Sequence, residues 1–223
     1  MIGAIGDTLP LALGIAISPI PVIAAILMLL SPGARATSVG FMAGWVGGVT
    51  VAVVVFELVA GLLHDDGSAG GGVVGGVIKV VLGLGLVLLA VRQWRARPGP
   101  GDSAELPAWM AATDSLTAGK AAGLAFVLAA VNPKNLLLAA SAGVLLAEVE
   151  DPAEQAWSTV VFVIVAASSV VLPVVAYLMA ADRLARPLEV LRSWLVANNA
   201  TIMAVLLLVL GTMTFGKGLT ALG

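Results

Sequence analysis

The sequence predicts an all-α integral membrane protein: six transmembrane helices forming two three-helix repeats of inverted topology, with helices 1 and 4 broken by proline. Three observations carry this reading. The chain is 60% hydrophobic and 11% charged, with a mean hydropathy of +1.09, whereas about 25% of residues are charged in soluble domains. Six stretches reach the roughly 20 apolar residues that a membrane-crossing helix needs. Basic and acidic connections alternate between them.

The first span, 7–30, follows an N-terminus that lacks the basic n-region of a signal peptide. Its apolar run is also too long for a signal h-region, so it reads as a retained helix. Ser18-Pro19-Ile20-Pro21 sits near its centre. Spans two and three cover 39–63 and 73–92. Their glycines, in GWVGG and GLGLV, permit close helix contact, and GLGLV lies in mid-span, where it is no phosphate loop. The stretch RQWRARPGPGDSAELPAWMAATDSLTAGK follows, and its Pro, Gly and charges mark a linker. The chain therefore divides into a first repeat at 1–92, a cytoplasmic linker at 93–120 and a second repeat at 121–223. Span four, 121–147, carries Asn132-Pro133-Lys134-Asn135 near its centre, and spans five and six cover 157–181 and 198–219.

Cations cluster in the connections after spans one, three and five: Arg35; Arg92, Arg95, Arg97 and Lys120; Arg183, Arg186 and Arg192. The connections after spans two and four hold Asp65, Asp66, Glu148, Glu150, Asp151 and Glu154. By the positive-inside rule the former are cytoplasmic, and both termini lie outside. Trp94 and Trp109 flank the linker as an interfacial belt, and Trp45, Trp157 and Trp194 fall near span ends. With three helices per half, the second half enters the membrane in the opposite direction, the condition for an inverted repeat.

Composition excludes several functions. There is no cysteine and one histidine, so no thiolate or histidine metal site, no cofactor requirement and no Cys nucleophile is expected. A net charge of -2 gives no nucleic-acid signal, and no nucleophile, base and metal constellation indicates an enzyme.

The polar residues within the spans point to transport. Pro19, Pro21 and Pro133 should free the carbonyls of Ile15, Ile17 and Ala129, and such breaks survive in hydrocarbon where protein, water or ligand satisfies them. Lys134 is costly at mid-membrane, at least ~2.5 kcal/mol on insertion scales, so it faces a cavity or a partner. Two alternatives follow: Lys134 meets an anionic ligand, or it is a structural residue bonded to carbonyls of the broken first span. Ser18, Asn132, Asn135, Ser168 and Ser169 lie at similar depth and complete a candidate polar site with Pro19, Pro21, Pro133 and Lys134. Glu57 and Lys79 each lie about 9 Å from the outer ends of spans two and three. They are expected to pair; proton coupling by Glu57 is the alternative.

ISPIPVIAAILMLLS followed by Arg and GW, K-x-x-LG ahead of AVRQWRARP, LPAWM, and VNPKNLLLAASAG are spread over nearly the whole chain. Together these motifs resemble the GAP or Sap family of peptidoglycolipid-addressing proteins from mycobacteria and related actinobacteria, within the lysine-exporter (LysE) superfamily, so the membrane is expected to be a bacterial inner membrane. The resemblance implies a six-helix inner-membrane protein of two repeats that helps move glycolipids towards the cell envelope. The expected function is thus export of an anionic (glyco)lipid or lipid-linked envelope precursor through a polar midplane site. The alternatives are an exporter of a small amino acid or other polar solute, and an accessory scaffold of a lipid-export complex. Partners are a lipid or glycolipid substrate and the bilayer, with a homo-oligomer or a lipid-synthesis complex compatible with that role.

Overall fold

In the computed structural model, which describes residues 2–31, 33–64, 71–97 and 116–222, the regular elements are all helical. In chain order they are α1 (Ile2–Ala16), α2 (Pro19–Leu29), α3 (Ala34–His64), α4 (Gly71–Arg95), α5 (Ala118–Ala130), α6 (Pro133–Ala147) and α7 (Pro152–Leu222). Prolines set two of the boundaries. A residue before proline is driven out of the α region, and Ser18 (φ -77°, ψ 111°) and Asn132 (φ -64°, ψ 122°) are both extended. Pro19 and Pro133 then open α2 and α6, where a missing N–H costs nothing. The axis turns by 52° between α1 and α2 and by 61° between α5 and α6.

Ala180 (φ -150°, ψ 52°) breaks α7 into a first limb, Pro152–Ala181, and a second limb, Arg183–Leu222. Both limbs, with Ala34–Leu62 and Val73–Arg95, are long and apolar enough to cross a membrane; counting each bent pair as one span makes six. The chain is a multi-pass helical membrane protein. The second limb has 40 residues, about 60 Å at the helical rise. The stretch read from sequence as a connection before span six is therefore helical, held by Leu188 and Leu195, which are buried in the core.

Glycines decide which helices are neighbours. Gly40, Gly44 and Gly48, one per turn of α3, lie against the backbone of Ala118, Ala122 and Phe126 on α5, with no room for a Cβ. Gly76 and Gly83 of α4 meet Gly218, Phe215 and Gly211 of the second limb in the same way. In hydrocarbon, where apolar side chains gain nothing by leaving the solvent, such small-residue seams determine helix pairing. The GWVGG and GLGLV glycines thus make close contacts, through Gly44, Gly48 and Gly83. Consequently α3 packs on α5 and α6, α4 packs on the second limb, and α3 and α4 barely touch.

One expectation about the tryptophans changes. Trp45 is fully buried in the core rather than interfacial, while Trp94, Trp157 and Trp194 are exposed, Trp94 carrying the Arg97 guanidinium 3.8 Å above its ring. Asp65, Asp66, Trp109 and linker residues 98–115 lie outside the described residues.

Candidate functional site

Each break leaves a carbonyl without its helical donor, and a side chain of α6 reaches each one. Ser18 N turns back to Ile15 O at 3.2 Å, so Ile15, expected to be orphaned, is satisfied and the orphan moves one residue earlier to Gly14. Lys134 Nζ donates to Gly14 O at 2.9 Å. In α5 the equivalent carbonyl, four residues before Asn132, belongs to Leu128, and Asn135 Nδ2 donates to it at 3.0 Å. Asn132 Oδ1 caps its own helix by accepting from Lys134 N at 3.0 Å, whereas Ser18 makes no capping bond. With Pro19 and Pro21 lacking N–H groups, Ile20 and Val22 carry the amides of the first α2 turn.

Beside these breaks lies a cavity of about 290 Å³. Its polar lining comprises Ser18, Arg92, Gln93, Asn132, Lys134 and Asn199, and its apolar lining Ile20, Leu89, Pro133, Met203 and Leu207. Of the sequence-predicted site residues, Ser18, Asn132, Pro133 and Lys134 meet here. Asn135 is buried but turned to Leu128 O, and Pro19 and Pro21 shape the break without lining the cavity. Ser168 and Ser169 sit on the first limb and are not part of the lining, Ser168 Oγ donating to Val165 O at 2.7 Å.

Arg92, Gln93 and Asn199 were not among the predicted site residues. Arg92 looked like one more cation of the cytoplasmic face, and Asn199 like the polar start of a span. Asn199 Oδ1 is buried without a partner, an arrangement that favours a hydrogen-bond donor from a ligand. Two cations, no lining carboxylate and several amides and hydroxyls make the cavity fit for an anion that also carries hydroxyl groups.

A profile of the Sap, sulfolipid-1-addressing protein, family matches residues 8–220. The chain belongs to this family. No curated protein and no solved structure matches it. Within this Sap-family protein, both proline breaks and the whole cavity lie inside the matched region.

The end of the molecule away from Arg92 is tied by ion pairs. Lys79 Nζ bonds Glu148 Oε1 at 2.5 Å, joining α4 to the end of α6. Lys217 Nζ bonds Asp7 Oδ1 at 2.5 Å, joining the second limb to α1. The expected Glu57–Lys79 pair is therefore replaced: α6 packs against both α3 and α4 and supplies Glu148 to the lysine. Matched depth on consecutive helices failed as a guide because those helices are not lateral neighbours. Glu57 Oε2 instead accepts from Thr159 Oγ1 on the first limb at 2.8 Å.

Proposed function

We propose that this Sap-family protein exports an anionic (glyco)lipid, or a lipid-linked envelope precursor, across the inner membrane, the headgroup passing through the cavity beside the two breaks. One observation carries the reading: Arg92 and Lys134 line that cavity, and no lining residue is acidic. The family description, which concerns sulfolipid-1, agrees with it, since a sulfated sugar offers both an anion for the cations and hydroxyls for Asn199. An amino-acid substrate fits less well because its ammonium would meet two cations, and a scaffold would have no use for a charged cavity. No step requires enzymatic chemistry.

The breaks serve in this reading as equivalent points of two inverted three-helix repeats, joined by the 93–120 linker, with both termini outside. Each break has an extended residue before proline and an orphaned carbonyl four residues earlier. Rocking of one half against the other would alternate access to a site at their interface. The present arrangement has its cavity towards the Arg92 end and ion pairs tying the opposite end.

Lys134 holds a carbonyl and also lines the cavity, so the test must separate the two roles. Lys134→Gln retains a donor for Gly14 O and removes the charge. Its translocation of a labelled sulfated glycolipid in vesicles should fall at least tenfold at unchanged membrane abundance. Wild-type rates would make Lys134 a structural cap and sink the proposal.

A further inference from the structure

A second concavity lies on the lipid-facing side, between α1 and the second limb, with a volume of about 620 Å³. We infer that this groove is the track for an acyl chain of the lipid whose headgroup uses the polar cavity, an inference that rests on the lipid reading above. Its walls include Leu13, Val205, Leu206, Val209 and Met213, and its inner end is marked by Trp194 and Asn198.

Position is the first argument. Neighbouring residues of the second limb divide between the two concavities: Asn198, Ile202 and Leu206 line the groove, and Asn199, Met203 and Leu207 line the cavity. Gly14 lines the groove while its carbonyl holds Lys134, which lines the cavity. An amphiphile is thus met by a polar chamber and an apolar furrow on adjacent faces of one helix.

Length is the second. From Trp194 to Met213 the helix rises about 28 Å, close to the roughly 30 Å of the hydrocarbon core. The wall that the second limb offers is therefore about as long as the hydrocarbon core is thick, and a chain lying along it stays in apolar surroundings while the headgroup crosses.

The third argument concerns what else could fill it. A partner helix packs in hydrocarbon through small residues that let backbones approach. The glycines of the second limb that make such contacts, Gly211 and Gly218, are already committed to α4. The groove face of that limb offers Val205, Leu206, Val209 and Met213, apolar side chains that keep another backbone at a distance and present a smooth wall to a chain that slides.

The probe is a sulfated galactosyl lipid with a photoreactive diazirine in its acyl chain, incorporated with the full-length protein in phosphatidylcholine vesicles. Labelling should concentrate at Leu13, Val205, Val209 and Met213, at least fivefold above Val81, Leu88 and Leu172, which are exposed elsewhere. Val205→Trp with Val209→Trp should remove that excess and slow translocation at least tenfold, while Val81→Trp changes neither. Even labelling of all these positions, unchanged translocation in the Trp variant, or a copurifying helix in the groove overturns the track. A groove-labelled protein whose Lys134→Gln variant translocates normally would instead refute the headgroup site, so the two failures are distinguishable.

Discussion

The two proline breaks are built alike and satisfied differently. At the second break everything needed is local: Asn132 caps the helix it begins, and Asn135, seven residues after Leu128, covers the orphaned carbonyl. At the first break, Ser18 does not cap and the orphaned Gly14 carbonyl waits for Lys134, 120 residues further along the chain. The second break is satisfied within its own helix pair, apart from the unpartnered Asn135 Oδ1, whereas the first is completed only by a side chain 120 positions later in the chain. On the proposed transport reading, a substrate anion would meet the same three-donor ammonium that holds Gly14 O.

The sharpest way to break this comparison is to remove each carbonyl's donor in turn. Lys134→Met leaves the buried Gly14 carbonyl unpaired and Asn135→Leu the part-buried Leu128 carbonyl, each at a cost of about 1–3 kcal/mol, so thermal unfolding in detergent should show losses of the same order. Transport should separate them. At equal amounts of folded protein, Asn135→Leu should retain at least half of wild-type translocation and Lys134→Met less than a hundredth. Equal transport losses would mean that the breaks are equivalent and that the charge has no separate part.

The two breaks were legible in the sequence but their asymmetry was not, and the reason is physical. Proline dictates the conformation of the residue before it, so the breaks at Ser18 and Asn132 follow from local chemistry, as do apolar helices long enough to cross a membrane. The identity of the orphaned carbonyl did not follow, because Ser18 N rescued Ile15 O through a tighter turn. Lateral neighbours were harder still. Depth along a span is a one-dimensional quantity, and it matched Glu57 with Lys79 although Gly143 of α6 packs against the Phe56–Glu57 backbone between them. The Gly40, Gly44 and Gly48 spacing contained the needed signal, since three glycines in register mark a seam, but the spacing does not name the partner helix. Arg92 joins Lys134 through the packing of α4 on α6 and on the second limb.

A second comparison sets the tied end of the molecule against the open one, with a smaller expected effect. Removing the acids of both ion pairs, Asp7→Asn with Glu148→Gln, should favour opening at that end. The cysteine-free chain makes the measurement direct: Ser18→Cys in the double variant should react severalfold faster with an impermeant thiol reagent applied to intact cells. Glu150→Cys should react from the same side and Ser103→Cys should not, if the termini are outside. Labelling of position 103 would reverse the orientation, and an unchanged rate at position 18 would show that the pairs do not hold the closed end.

The smallest effect on the fold is expected at Glu57, and its interest lies in a hydrogen that two acceptors share. Thr159 Oγ1 lies 2.8 Å from Glu57 Oε2 and 3.0 Å from Gln155 O, yet a hydroxyl has one hydrogen to donate. When it bonds the carboxylate, Glu57 is an acceptor and can be ionised. When it turns to Gln155 O, Glu57 keeps its contact only by carrying a proton and donating. Lys79, which would have fixed the charged form, is held by Glu148. Glu57 lies in a shallow groove with Thr50, Val54 and Val163, and on the proposed transport reading the alternative role read from the sequence, proton coupling, is the one to test. Glu57→Gln can bond Thr159 in either arrangement, so stability should change by less than about 1 kcal/mol. In vesicles, an imposed proton gradient should accelerate translocation severalfold in the wild type and leave the Gln variant unmoved. Equal acceleration in both would reduce Glu57 to a helix-packing contact and leave energy coupling to be sought at the cavity itself.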